Sequence, residues 1–272
     1  MRESVPSALP ADYHTHTFRC RHAQGDAIDY ARGAEEAGLP EIACTDHIPF
    51  PGEENPSIRM TEGEFGGYLE AVAAAREEAG IPVLLGMEAD YTRELAAARW
   101  VERLAERGAF DVVLGSVHTG PYWDFQPGDP SLTEAFVEEV WRTYFGLYAE
   151  MARTGLYDVG SHFDLPKRRG VFLPEAKARD IMLPALDAVA EAGMVLEINT
   201  SGWGHGCRAP YPGPEVLRWM RERDIGLVFG SDAHRPDWAG RWFAETAALA
   251  KEAGYTEAVR FRGRRKIRVP LA

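Results

Sequence analysis

"DYHTHTFRCRH", residues 12–22, holds three of the chain's eight histidines in eleven positions. A GxGxxG turn after this first strand would point to an open dinucleotide-binding sheet, but the strand runs into "HTHTFRCRH" instead. His14 and His16 stand two apart, so on a strand their side chains share a face, about 6 to 7 Å apart along the backbone. That spacing suits one metal ion held between two imidazoles. The pattern returns near the far end of the chain in "GSDAH", residues 230–234, with Asp232 and His234.

Between these two stretches the same punctuation recurs: "EEAGLPEIACTDH", "EEAGIPVLLGMEAD", "ERGAFDVVLGSVH", "RTGLYDVGSHFD", "EAGMVLEINTSG" and "RERDIGLVFGSDAH". Each joins a glycine suited to a helix C-cap, or a close equivalent, to an apolar run too short for a helix. Helix starts are marked by "TEGE" at 61–64, a candidate capping box, and by Pro174 and Pro214. Continuously apolar strands alternating with helices predict an α/β protein with a parallel sheet covered on its faces. Counting the opening run there are seven strands, and a closed barrel of about seven βα units fits them. No linker shows itself, so residues 1–272 are read as a single domain.

In such barrels the working groups sit at the C-terminal ends of the strands. Here the strands end in His14 and His16, Asp46 and His47, Glu88, His118, His162, Glu197 and Asn199, and Asp232 and His234. Seven of the eight histidines fall at or just past a strand end. One such histidine alone reads as structural; seven on one rim read as a metal centre, with Glu88 placed to bridge two ions. Imidazole with carboxylate suits zinc, iron or manganese rather than calcium or a thiolate cluster.

Composition narrows the remaining classes. Hydrophobic residues at 45% and charged residues at 26% are those of an ordinary globular chain. No run of about 18 apolar residues occurs, which excludes a membrane helix, and the N-terminus shows no basic and apolar leader, so the expected compartment is the cytoplasm. Cys20, Cys44 and Cys207, without a CxxC, fit a reducing environment. The net charge of −12 disfavours nucleic acid as a partner. "RFRGRRKIRV", 260–269, alternates like an edge strand guarded by its basic residues.

The ordered set "HTHTFRCRH", "TDH", "GMEAD", "GSVH", "GSHFD", "EINTSG" and "GSDAH" resembles the polymerase and histidinol phosphatase (PHP) family, over residues 12 to about 236. The resemblance implies a distorted (β/α)7 TIM-like barrel and three divalent metal ions. By motif, the first ion would be held by His14, His16, Glu88 and Asp232, the second by Glu88, His118 and His162, and the third by His22, His47 and His234. Asp12, Asp46, Asp164 and Asn199 are candidates for hydrogen bonds that orient the imidazoles, and Cys20 is read as structural. "SHFDLPKR" with "EINTSG", the size and the basic terminal strand resemble the monofunctional histidinol-phosphate phosphatases.

That branch implies hydrolysis of a small phosphorylated metabolite, L-histidinol phosphate, by a metal-bridging hydroxide without a covalent phosphoenzyme. Lys167, Arg168, Arg169, Arg208 and Arg235 are the candidate phosphate-binding residues. The branch commonly continues "NTSGL" with a basic pair, whereas here Trp203, Gly204, His205 and Gly206 precede "CRAPYP". Either Arg208 takes over that contact or His205 is a proton donor to the leaving alkoxide. Tyr122, Trp123, Trp203 and Tyr211 are candidates for walling an imidazole ring, and Glu53 or Asp124 for pairing with an amino group. The alternatives are a PHP phosphoesterase acting on nucleotides or short oligonucleotides, an amidohydrolase-like C–N hydrolase, and a non-catalytic metal-binding module. The metals' identity and the oligomeric state are not legible.

Overall fold

The computed structural model describes residues 9–53, 55 and 57–271. Six strands, β1 (Ile42–Cys44), β2 (Val83–Asp90), β3 (Val112–Ser116), β4 (Val159–Gly160), β5 (Val195–Asn199) and β6 (Leu227–Gly230), form one parallel sheet in chain order. The sheet curls until both edges meet the opening segment, residues 12–16. Asp12 bridges Ile42 on one side and Phe229 on the other. The Tyr13 N–H donates to the Phe229 carbonyl, and the Asp12 carbonyl accepts from the Ala43 N–H, each at 2.8 Å. All seven expected strands are present, the first as isolated bridges that close the ring.

Every residue of the six strands is buried, which is why they read as unbroken apolar runs rather than alternating ones. Their inner face packs Tyr13, Ala43, Leu84, Val112, Leu114, Val159, Val195 and Val228 into the barrel interior. Their outer face is covered by α1 (Ala27–Glu36), α2 (Phe65–Glu78), α3 (Arg93–Ala97), α4 (Trp100–Ala105), α5 (Glu134–Arg153), α6 (Glu175–Glu191), α7 (Pro214–Glu222) and α8 (Phe243–Glu252). In α5 the buried side chains include Val137, Val140, Trp141, Tyr144, Phe145 and Tyr148, the stripe that a 3.6-residue period demands. The Thr61–Glu64 capping box forms at the turn leading into α2, and Pro214 opens α7. Pro174 stands one place outside α6, as its N-cap. Gly38, Gly155 and Gly193 end helices at φ of 73°, 68° and 64°, and Asp224 does the same without glycine at 51°.

The basic terminal run is a hairpin, not the single edge strand its alternation suggested. β7 (Glu257–Arg262) and β8 (Arg265–Pro270) are antiparallel, joined by Gly263 and Arg264, both at positive φ. A two-residue turn of that kind matches the twist of a tight hairpin. Val259 and Phe261 close the N-terminal end of the barrel interior. Arg262, Arg264 and Arg268 pair with Glu41, Asp158 and Asp224, acids that stand just before β1, β4 and β6. Among the described residues, no helix is long and apolar enough to cross a membrane.

Candidate metal centre

The parallel strands deliver their last residues to one mouth of the barrel, and seven histidines meet there. His16 lies with ring centroids 5.0 Å from His14, 4.4 Å from His47 and 4.3 Å from His234. His22, carried back by the short turn Phe18–Cys20, stands 4.6 Å from His234, and His118 stands 5.1 Å from His162. Two members sit on uncommon backbone: His162 at φ 26° and Asp232 at 53°, positive values that few non-glycine residues adopt. Gly230 makes room for the cluster, since a Cβ there would meet the Glu197 carboxylate at 2.3 Å and the His14 Cβ at 2.7 Å.

Glu88, fully buried near the end of β2, is the hub. Its Oε2 lies 2.8 Å from His47 Nδ1, 3.4 Å from His14 Nε2 and 3.6 Å from His16 Nε2. Its Oε1 lies 3.2 Å from His162 Nε2 and 3.4 Å from His118 Nε2. Asp232 Oδ1 approaches His16 Nε2 at 3.1 Å and His14 Nε2 at 3.8 Å. Ligand atoms of His14, His16 and Glu88 all lie within 4.8 Å of one another, as do those of His22, His47 and His234 and those of His47, Glu88 and His118.

Several of these atoms are buried without a hydrogen-bond partner among the described residues: His14 Nε2, both ring nitrogens of His16, His47 Nδ1, Glu88 Oε2 and His234 Nε2. An orphaned buried polar atom is costly, and so many aimed into one small volume is a donor set fitted to cations. Electrostatics points the same way. Burial opposes ionisation of Glu88, yet His47, His14 and His118 outweigh it and hold the carboxyl well below its usual range. Burial also opposes a charge on His14, but Glu197, Glu88 and Asp232 outweigh it and raise its pKa well above the ordinary value. Against the same burial, the carboxylates of Asp232 and Asp46 beside the ring bring His16 up to about 9. Burial, with the charge of His16 nearby, pushes His47 down to about 4 and His234 to about 3. Protons can thus supply only part of the positive charge the acids call for, because crowded imidazoles repel one another's protons; divalent ions would use every lone pair at once.

The support behind this cluster differs in part from the sequence reading. Asp46 stands 3.6 Å from His16 Nδ1, beyond hydrogen-bond reach, and accepts hydrogen bonds from the N–H and hydroxyl of Thr17. Asn199 acts on carboxylates rather than imidazoles, donating to Glu197 at 2.8 Å and Asp232 at 3.3 Å. Asp12 and Asp164 touch no imidazole. Asp12 accepts backbone N–H groups from His14, Ser231 and Gly240, and Asp164 accepts from Lys167 and Gly213. Two orienting acids were missed. Glu197 lies 2.9 Å from His14 Nδ1 and accepts the His162 N–H at 2.7 Å; Asp90 lies 2.7 Å from His118 Nδ1 and pairs on its other oxygen with buried Arg59 at 2.9 Å. The spacing that paired His14 with His16 was enough to find both acids, since Asp90 is two residues past Glu88 and Glu197 two before Asn199. Cys20 is fully buried with its sulfur within 4.8 Å of His16 and His234 nitrogens, and burial pushes its thiol up to about 12.

Above the cluster opens a cavity of about 720 Å³ walled by Trp123, Leu165, Arg168, His205, Trp238, Arg241 and Trp242 among others. Of the five candidate phosphate contacts only Arg168 lines it. The Lys167 ammonium is buried against Asp164 at 2.6 Å and the Pro210 carbonyl at 2.8 Å. Arg169 is exposed and donates to the Trp123 carbonyl, Arg235 is exposed and paired with Asp237, and Arg208 is exposed away from the wall. Arg241 was missed; its guanidinium lies 3.7 Å from the Trp242 ring centroid and 5.1 Å from that of Trp238. Of the four aromatics expected at the wall, Trp123 is there, while Tyr122 and Tyr211 are fully buried and Trp203 stands outside it. Asp124 does not line the cavity, and the Glu53 side chain lies outside the described residues. His205 is not built to give up a proton from Nε2. That nitrogen accepts from Arg168 at 2.6 Å, and burial, with the adjacent guanidinium, pushes its pKa down to about 4.

Comparison with known proteins gives a consistent picture. A PHP domain model matches residues 12–201. The chain is 36% identical over 249 residues to a protein of Deinococcus radiodurans named "Probable histidinol-phosphatase", covering 89% of this chain and 93% of the relative. It is 27% identical to the histidinol-phosphatase of Bacillus subtilis, over 82% of this chain and 93% of that one. Among solved structures, histidinol phosphate phosphatase from Lactococcus lactis, complexed with zinc, L-histidinol and phosphate, superposes with a TM-score of 0.75 at 22% identity, covering 95% of this chain and 99% of that one. That likeness bears on the fold, which is a distorted TIM-like barrel.

Proposed function

This chain belongs to the PHP domain family, and from that premise we propose that it is a metal-dependent phosphatase hydrolysing L-histidinol phosphate to L-histidinol and phosphate. The observation that carries the reading is the convergence of seven imidazoles, Glu88 and Asp232 at one mouth, with unpartnered lone pairs turned inward. The Bacillus relative bears that activity in its name, and the Lactococcus protein was crystallised with zinc and with both products of the reaction.

His14, His16, Glu88 and Asp232 would hold one ion, Glu88 with His118 and His162 a second, and His22, His47 and His234 a third. Divalent ions bound there supply charge against the phosphoryl oxygens and lower the pKa of a water toward neutrality. The chain's own part is to fix and to exclude. Glu197 and Asp90, each bound to an Nδ1, hold His14 and His118 with Nε2 facing inward. Arg168 lines the cavity without a carboxylate partner among the described residues, so its charge is available to a phosphate oxygen. Trp123, Trp238 and Trp242 give the outer cavity flat apolar surface for a ring in the leaving group.

A nucleic-acid-sized substrate finds no support here. The basic residues of 260–269 lie on the hairpin under the opposite end of the barrel, and Arg262, Arg264 and Arg268 are paired there. The test is phosphate release from histidinol phosphate, nucleoside monophosphates and sugar phosphates by protein of counted metal content. Fastest turnover of histidinol phosphate is expected; a preferred nucleotide overturns the substrate, and no release from any ester overturns the reaction.

A further inference from the structure

The turn after β5 meets the metal cluster through Ser201, whose hydroxyl donates to Asp232 at 3.1 Å, and its remaining residues lead away to the cavity wall. Residues Thr200–Gly204 form a 3-10 turn, and the chain then drops onto the loop that follows β4. Contact between the two loops is backbone to backbone: the Cys207 N–H donates to the Arg168 carbonyl at 3.1 Å, and a Cβ on Gly206 would meet the Arg169 carbonyl oxygen at 2.6 Å. Only glycine permits that approach. Its result is that His205 and Arg168, distant in sequence, stand side by side on the cavity wall.

Within this unit Arg168 Nη1 lies 2.6 Å from His205 Nε2, and the guanidinium carbon lies 5.1 Å from the centroid of the Trp123 ring. An arginine only donates, so Nε2 accepts and the imidazole carries its proton on Nδ1. Most arginines near the mouth are held differently: Arg19 by Asp26, Arg21 by Glu64, Arg59 by Asp90 and Arg235 by Asp237. A carboxylate fixes a guanidinium but neutralises it. A neutral acceptor and an aromatic face fix its direction and leave its whole charge for an anion.

We propose that His205 is a positioning residue, a neutral acceptor that holds the Arg168 guanidinium in the direction of the substrate phosphate. It brings a cation to the wall by aiming an arginine from the neighbouring loop. The proposal rests on the reading of Arg168 as the phosphate contact. It assigns His205 to binding and not to proton transfer.

The experiment is a double-mutant cycle on metal-loaded enzyme with His205→Ala, Arg168→Ala and both. Inorganic phosphate binding is measured by calorimetry, and KM and kcat on the phosphate ester separately. His205→Ala is expected to weaken phosphate binding and raise KM about tenfold, the loss of one hydrogen bond to a charged group, with a smaller change in kcat. His205→Gln, whose amide oxygen can stand near Nε2, should recover most of that. In the Arg168→Ala background, removing His205 should change little. Wild-type phosphate affinity in folded His205→Ala overturns the proposal, as does an undiminished effect without Arg168, or a loss confined to kcat. Wild-type enzyme that binds no phosphate overturns the reading of the site as well, whereas wild-type binding unaltered in the variant overturns this inference alone.

Discussion

Each end of the barrel buries a glutamate, and the two are handled in opposite ways. At the floor, Glu41 accepts the Tyr13 hydroxyl at 2.5 Å and pairs with Arg262 of the terminal hairpin. The chain itself supplies the compensating charge, and the surrounding interior is apolar. At the mouth, Glu88 meets five imidazoles and the Ser116 hydroxyl, and no lysine or arginine pairs with it among the described residues. A buried acid with its own cation is part of the scaffold; a buried acid ringed by lone pairs is arranged for a cation from outside.

The sharpest way to break that contrast is to neutralise each glutamate in turn. Glu88→Gln is expected to lose metal, by elemental analysis, and to drop phosphate release by about a thousandfold or more, since the carboxylate proposed to serve two ions is removed. Glu41→Gln should keep both metal and turnover while losing about 1–3 kcal/mol of stability in urea unfolding, the cost of leaving a buried partner poorly satisfied. If Glu41→Gln lost metal as well, the two ends would not be separable in this way.

Chelation sharpens the same contrast along the pH axis. With the ions removed, His16 has its pKa raised to about 9 in the folded chain, so its contribution to stability is present below about 6.5 and fades as pH rises through 9. His47 and His234 are depressed to about 4 and 3, so their contributions are present above about 6.5 and fade as pH falls through those values. Chelated protein should therefore lose stability on both sides of neutrality. Metal-loaded protein should be more stable near neutrality and show a weaker alkaline fall, because an ion stands where the proton would be. Identical urea midpoints with and without chelator from pH 5 to 9.5 would count against ions bound at these histidines.

The barrel and its rim were legible because both obey short-range rules. Seven apolar runs end in polar residues, and a period of two puts His14 beside His16. What escaped depends on where loops cross. Lys167 reads as an available cation, but its ammonium turns inward to Asp164 and Pro210. Arg241 belongs to no motif, and only the folding of its loop sets its guanidinium against Trp238 and Trp242 on the cavity wall. The hairpin was hidden because Gly263 and Arg264 interrupt an alternation whose basic side chains look the same on both arms.

Asp90 offers a milder perturbation of the mouth. It holds His118 by Nδ1 and is itself held by Arg59, whose guanidinium packs 3.6 Å from the centroid of the Phe50 ring. Asp90→Asn keeps the shape and weakens the orientation of one ligand, so a loss of about 10–100-fold in metal affinity or turnover is expected. Titration with zinc and with manganese measures it, and the deficit should shrink at saturating metal. A deficit unchanged by added metal would place the role of Asp90 elsewhere than in holding His118.

The smallest effects are expected from arginines that sequence position recommended and the fold leaves out. Arg208 and Arg235 flank the mouth in the chain, yet neither lines the cavity, and Arg235 is already engaged by Asp237 at 2.9 Å. Exposed charges of this kind act on an anion through water and salt, so each alanine variant should leave KM within about twofold at physiological ionic strength. Arg168→Ala, assayed beside them, should raise KM far more, because its guanidinium is held at the wall by His205 and the Trp123 face. If Arg208→Ala matched Arg168→Ala, the loop after β5 would have to reach over the mouth when substrate binds, and the division between aimed and idle arginines would fail.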